Sequence, residues 1–242
     1  MDVLGDLVSP DRGGDSLWIH RPGARSRSWS GEQFSVDSWK AGNLLRHYGV
    51  REGAAVGIKG EADADEPPSP QALIGLFGAW LLGAGVRLEP AETEGIDVLV
   101  GPSEVLDHRE RTPGCKAMGF GDPPEDPTVV YFEGERWSEN PVRFPAEVDP
   151  VDTALFTDDG PRSHADLLET AAEVIEAYGI TGSDRIALSA SLSEPGAVIA
   201  GVVAPLLAGA TITLGGEATL VVAERDGKNV IRPSSVYPFG RT

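Results

Sequence analysis

Lysine, histidine, methionine and cysteine are all scarce in this chain of 242 residues, and each shortage excludes something. One cysteine, Cys115, leaves no internal disulfide framework and no cysteine-rich zinc site. His20, His47, His108 and His164 are scattered, with no partner at the helical spacing of a metal centre, so no metal site is expected. Lysine occurs only at Lys40, Lys59, Lys116 and Lys228, and 38 carboxylates against 20 basic residues give a net charge of −18. Such a surface repels phosphate backbones and excludes nucleic acid as a partner. Long apolar runs are missing too. The longest, 73–82 and 197–210, fall short of the roughly 20 residues that span a bilayer, and the loop-like acidic stretch 1–14 has no apolar signal core. No membrane association is expected, and the compartment reads as cytoplasm. Because the acidic residues are spread along the chain, the charge suits molar salt, where repulsion is screened over a few Å, and so a halophilic source. An acidic protein that binds cationic partners is the competing reading.

What is present is an alternation of strand and helix signals. The stretch 16–20 reads as a strand, followed by a turn rich in Gly and Arg at 21–27. Ser30-Gly-Glu-Gln33 opens a helix with a capping box, and Tyr48-Gly49 closes it. The pattern continues with a strand at 54–58, a Pro- and acid-rich loop at 61–70, and a buried helix at 71–82 in which Gly75 and Gly78 allow close packing. Strands follow at 86–88 and 96–100. Residues 102–148 read as an irregular linker with one strand at 128–132. A second series then begins: a strand at 153–157, a helix opened by Ser163-His-Ala-Asp166 and closed at Tyr178-Gly179, and a strand at 185–188. It ends with an apolar helix at 195–207 bent at Pro205, a strand at 211–214, and a closing hairpin of 219–223 and 229–232 around Asp226-Gly227. All five tryptophans, Trp18, Trp29, Trp39, Trp80 and Trp137, read as core residues.

The two series state one plan. Leu44-Leu-Arg-His-Tyr-Gly-Val-Arg-Glu-Gly-Ala-Ala-Val-Gly-Ile58 lies over Val174-Ile-Glu-Ala-Tyr-Gly-Ile-Thr-Gly-Ser-Asp-Arg-Ile-Ala-Leu188 with Tyr, Gly and the apolar positions coinciding. Leu81-Leu-Gly-Ala-Gly-Val matches Leu206-Leu-Ala-Gly-Ala-Thr. The fold class expected is α/β, with two pseudo-symmetric lobes of mainly parallel sheets flanked by helices. The halves are placed at 1–148 and 149–242, within one compact domain.

These residues resemble the N-terminal part of the adenylate-forming superfamily, which includes acyl-CoA synthetases, luciferases and peptide-synthetase adenylation domains. The similarity covers residues 30–58, Leu81-Leu-Gly-Ala-Gly-Val-Arg-Leu-Glu-Pro90, Asp152-Thr-Ala-Leu-Phe-Thr157, Ser163-His-Ala-Asp-Leu-Leu168 and Leu206-Leu-Ala-Gly-Ala210, in the family's order. In that family a loop of small and hydroxylated residues with a lysine wraps the nucleotide phosphates. Here Thr157-Asp-Asp-Gly-Pro-Arg162 stands in its place, with one glycine, no lysine and two carboxylates. At ~4 Å each carboxylate repels a phosphate charge by roughly 1–4 kcal/mol.

The resemblance therefore implies a degenerate nucleotide site at Thr157, Asp158, Asp159, Gly160, Arg162 and His164, with no catalytic residue assigned. A cation held by the two aspartates is the alternative use of the turn, and His164 reads as a solvated first-turn residue. The family's aromatic-His acyl motif is replaced by Ser191-Leu-Ser-Glu-Pro-Gly196. The chain reaches Thr242 before the family's adenine motif, ribose-binding Asp and C-terminal domain with its catalytic Lys. Ser193, His164 and Asp166 contain the elements of a hydrolytic set, but no Gly-x-Ser-x-Gly elbow accompanies them.

The expected function is a non-catalytic relative of acyl-CoA synthetases acting in binding, regulation or assembly, with no cofactor. Its partners would be a second copy, a full-length acyl-CoA synthetase, or a small acyl or nucleotide ligand. The alternative is residual or split AMP-forming ligase activity, using ATP and Mg²⁺ and needing a second chain.

Overall fold

Both long helices start where a hydroxyl can cap them. Ser30 Oγ accepts the Gln33 amide at 3.2 Å, and the Gln33 side chain accepts the Ser30 amide at 3.4 Å. Ser163 and Asp166 make the same reciprocal pair at 3.1 and 2.9 Å. The helices run Gly31–His47 and His164–Tyr178. Each ends at Tyr-Gly because the following amide reaches back five residues, Val50 to the Leu45 carbonyl and Ile180 to that of Ile175. That turn puts Gly49 and Gly179 at φ of 95° and 64°, where a side chain would be strained.

The computed structural model describes residues 1–23, 27–61 and 66–236. Parts of the two expected loops, 24–26 and 62–65, lie outside the described residues. The first half contributes β1 (Leu17–Arg21), β2 (Arg27–Ser30), β3 (Ala55–Ile58), β4 (Gly85–Leu88), β5 (Val98–Pro102), β6 (Lys116–Phe120) and β7 (Val129–Tyr131). The second contributes β8 (Thr153–Thr157), β9 (Gly160–Ser163), β10 (Arg185–Leu188), β11 (Thr211–Thr213), β12 (Leu220–Val222) and β13 (Val230–Ile231). The sheets read β7-β6-β5-β3-β4-β8-β9 and β13-β12-β10-β11-β1-β2. Among the described strands, only the β1–β2 and β8–β9 pairings are antiparallel. Each sheet therefore combines the parallel strands of one half with the hairpin of the other.

The repeat extends to single hydrogen bonds. Gly31 donates to the Ser16 carbonyl as His164 does to Asp152, and Gly85 donates to Ala54 as Thr211 does to Asp184. Two side chains reinforce the exchange. Trp80 Nε1 donates to the Ala154 carbonyl of β8 at 2.9 Å, and Thr211 Oγ1 donates to the Leu17 carbonyl of β1 at 2.9 Å. One hydrophobic cluster runs through both halves. Its aromatic centre is Phe34, Phe77 and Trp80, in edge-to-face pairs at 5.6 and 5.1 Å.

The helix Pro70–Trp80 is buried along its whole length, and no helix among the described residues is long and apolar enough to cross a membrane. The apolar helix at 195–208 carries a π turn, Ile199–Val203, directly before Pro205. A regular turn would drive the proline ring into the carbonyl four residues back. The wider turn, with Ala204 donating to Ile199, relieves that clash.

Several expectations are corrected. Residues 102–148 hold β6, paired over five positions with β5, and short helices at Ser103–Leu106 and Phe132–Trp137. Lys116-Ala-Met-Gly-Phe120 has no β-branched residue and sits among glycines and prolines, so its sequence hides a buried strand. β12 and β13 pair in parallel instead of closing a hairpin. Strands this short need a return of only about two residues, roughly 7 Å, which the segment between them supplies. The N-terminal stretch forms a 3₁₀ turn at Leu4–Leu7 that buries Leu4 and Leu7. Trp137 is 84% exposed, with Lys40 Nζ 5.7 Å from its ring centre.

The crossing of Gly31–His47 on Pro70–Trp80 depends on Gly78. A methyl group there would stand 2.9 Å from Ala41 Cβ and 3.0 Å from the Gly42 nitrogen, whereas at Gly75 the neighbours are side-chain atoms of Val100 and Ile58 at 3.3 and 3.4 Å. Gly78→Ala is expected to lower stability by about 1–3 kcal/mol, because backbone must move. Gly75→Ala is expected to cost clearly less, since flexible side chains can yield and alanine favours the helix. Urea midpoints of the two variants in one buffer check the difference.

Candidate functional site

The residues that the sequence resemblance sets opposite a phosphate loop, 157–162, form a hairpin. Thr157 pairs with Gly160, Phe156 with Pro161 and Leu155 with Arg162 across an antiparallel ladder, leaving Asp158 and Asp159 as an exposed two-residue turn. Thr157 Oγ1 donates to the Gly160 carbonyl at 2.7 Å. Arg162 lies on β9, so the segment is a strand where sequence alone reads a loop. Backbone donors committed to a ladder cannot also wrap a phosphate, and Pro161 has none to offer.

His164 is wholly buried, not solvated. Its Nδ1 accepts the Leu4 amide at 3.3 Å, which puts the ring proton on Nε2, a buried atom with no hydrogen-bond partner. Burial pushes its pKa down to about 4, against the opposing pull of Asp152 and Asp6. The structure thus separates the expected set: the aspartates face solvent while His164 faces the N-terminal turn. It does not assemble the hydrolytic set either. Asp166 is engaged in the helix cap, and Ser193 is exposed. No group of three or more potential metal ligands stands together among the described residues. Cys115 is half-buried, and burial raises its pKa, away from a reactive thiolate.

In the order β4-β3-β5-β6-β7 the strand order reverses between β3 and β5, and the carboxyl ends at such a switch point are where ligands bind in open α/β sheets. Leu192, only 1% exposed, lies against Gly60 there, and Gly196 packs directly under the Pro233 backbone. Glu89 sits at φ 44°, salt-bridged to Lys59 at 3.0 Å and accepting the Gly60 amide. Burial raises the neighbouring Glu61 to about 7, assisted by Glu66, Glu89 and Glu104 and opposed by Arg21. Sequence reading missed this cluster. The available signal was an acidic run directly after a fully buried strand.

Among solved structures, the chain is similar to the anthranilate CoA ligase AuaEII in complex with anthranoyl-AMP, at 20% identity and a TM-score of 0.75, covering 91% of this chain and 49% of that one. It is similar to a Brucella canis acyl-CoA synthetase at 16% identity and TM-score 0.74, covering 91% and 47%. The N-terminal domain of FACL13 from Mycobacterium tuberculosis matches at 13% identity and TM-score 0.70, covering 90% and 59%. The fold is that of the N-terminal domain of acyl-CoA synthetases. This chain spans about half the length of the ligase and the synthetase. No family model and no curated protein matches its sequence.

The buried His164 makes stability depend on acid. Its folded pKa lies below the unfolded value, so the unfolded state takes up the proton first. The penalty sets in as pH falls through about 6.5 and is complete near 4, amounting to about 3 kcal/mol. In His164→Asn the amide oxygen can still accept from Leu4, but nothing titrates. Urea midpoints compared at pH 7 and pH 4 are expected to fall further in the wild type than in the variant.

Proposed function

We propose that this chain is a non-catalytic relative of acyl-CoA synthetases that works as a binding, regulatory or assembly protein. The observation that carries this reading is the Thr157–Gly160 pairing at the tip of a complete hairpin, where a nucleotide-binding relative needs free amides. Two exposed carboxylates at that tip oppose a triphosphate. Leu192, packed against Gly60 just beyond the end of β3, occupies space there and supports the same reading. A second copy of the chain, or a full-length acyl-CoA synthetase, is the partner proposed. The charge of −18 supports a cytoplasm of high salt as its setting.

A second reading is a split AMP-forming ligase completed by another chain. It is favoured by the fold, which the chain shares with a CoA ligase and an acyl-CoA synthetase. Calorimetry with ATP and Mg²⁺ in molar salt, paired with a pyrophosphate-release assay over a panel of carboxylic acids, separates the readings. The non-catalytic reading expects no saturable heat and no pyrophosphate. ATP-dependent pyrophosphate release with any acid would overturn it in favour of the ligase.

A further inference from the structure

A groove runs between the β2 strand, the helix Gly31–His47 and the short helix Phe132–Trp137. It comprises two adjoining cavities of about 390 and 460 Å³ that share Arg27, Trp29 and Glu133. None of its lining residues comes from the hairpin at 153–163.

Three of its side chains are left incomplete by the described residues. Arg136 is 5% exposed, its Nη1 is buried without a hydrogen-bond partner, and it forms no ion pair with any described residue. Its guanidinium lies 5.1 Å from the centre of the Phe132 ring. A guanidinium keeps its proton, so a buried one needs a counter-ion. The nearby carboxylates Asp37 and Glu133 favour the charged guanidinium, but neither reaches ion-pair distance, and each is engaged elsewhere. Asp37 accepts the Trp29 indole N–H at 3.1 Å, and Glu133 accepts the Gly121 amide at 3.1 Å. Gln71 is 7% exposed with Oε1 buried and unpartnered, and Glu133 Oε2 is likewise buried and unpartnered. Burial raises the pKa of Glu133, opposed by the Gly121 amide and by Arg136. The Gln71 amide, turned end for end, presents donors to this space.

The local charge runs against that of the whole chain. Arg21, Arg27, Lys40 and Arg136 line the groove against only Asp37 and Glu133, in a protein of net charge −18. Arg27 lies 4.5 Å over the Trp29 ring, which makes a flat cationic wall. We propose that this groove binds a small organic anion, a carboxylate or a phosphate ester, whose charge is met by Arg136 and Arg27. The surrounding acidic surface repels most anions, so the groove concentrates cationic field at one place.

The test uses the full chain at fixed ionic strength, following the Trp29 indole resonance and the thermal midpoint with benzoate, phenyl phosphate and inorganic phosphate as probes. A saturable shift is expected with at least one probe. Response to benzoate alone assigns a carboxylate ligand, and response to the phosphates alone assigns a phosphate ligand. Arg136→Met should weaken binding at least about tenfold, while the free variant is no less stable than the wild type, because an unpaired buried charge has gone. Arg27→Gln, on the edge strand, should weaken binding with the fold intact. The proposal is overturned if no probe saturates, if neither substitution weakens binding, or if Arg136→Met unfolds while Arg27→Gln binds normally. None of these outcomes bears on the hairpin at Thr157, so the reading of its lost phosphate contacts stands or falls separately.

Discussion

The edge of β4 that faces away from β3 is paired not by its own half but by β8, with Val86 opposite Leu155 and Arg87 opposite Phe156. The mirror of this pairing joins β1 to β11, Ile19 opposite Ile212 and His20 opposite Thr213. An unpaired strand edge inside a core leaves buried donors and acceptors, each costing about 1–3 kcal/mol. Each half therefore depends on the hairpin of the other. Trp80 reinforces the junction, since its indole N–H has its partner on β8 and its ring packs on Phe77.

That constraint also sets the conformation of the segment after β8. A phosphate-binding loop needs amides that are free until the ligand arrives. In this chain the residues after β8 turn back at Asp158 and Asp159 and form a second strand, so their backbone is spent on the sheet. Further along, the chain enters the helix through Ser163, and the imidazole of His164 is turned inward to hold Leu4. The basic residues around Arg27 and Arg136 line a groove that shares no lining residue with that hairpin.

Much of the architecture was legible in the residues because local chemistry and tertiary fold agree there. Both capping boxes, both Tyr-Gly ends, the buried helix with Gly78 and the bend before Pro205 follow from short-range physics. The parts that were not legible are those that only pairing decides. β2 and β9 are four-residue strands, the latter containing a proline, and they exist because an edge of the other strand receives them. The parallel pairing of β12 with β13 and the burial of Lys116-Ala-Met-Gly-Phe120 are likewise set by the sheet. His164 looked like a first-turn surface residue, since nothing local announces that Leu4 will cover it. The groove was invisible for a similar reason: Arg27, Gln71 and Arg136 are far apart in sequence and form no motif.

Hydrogen exchange measured residue by residue in the native protein tests the dependence of the fold on the exchanged hairpins most directly. Amides of β8 and β9, Arg162 included, are expected to exchange as slowly as those of β4, through global unfolding alone. Fast exchange across Thr157, Gly160 and Arg162 while β4 stays protected would contradict the account, because the hairpin would then open by itself and its amides would be available to a ligand.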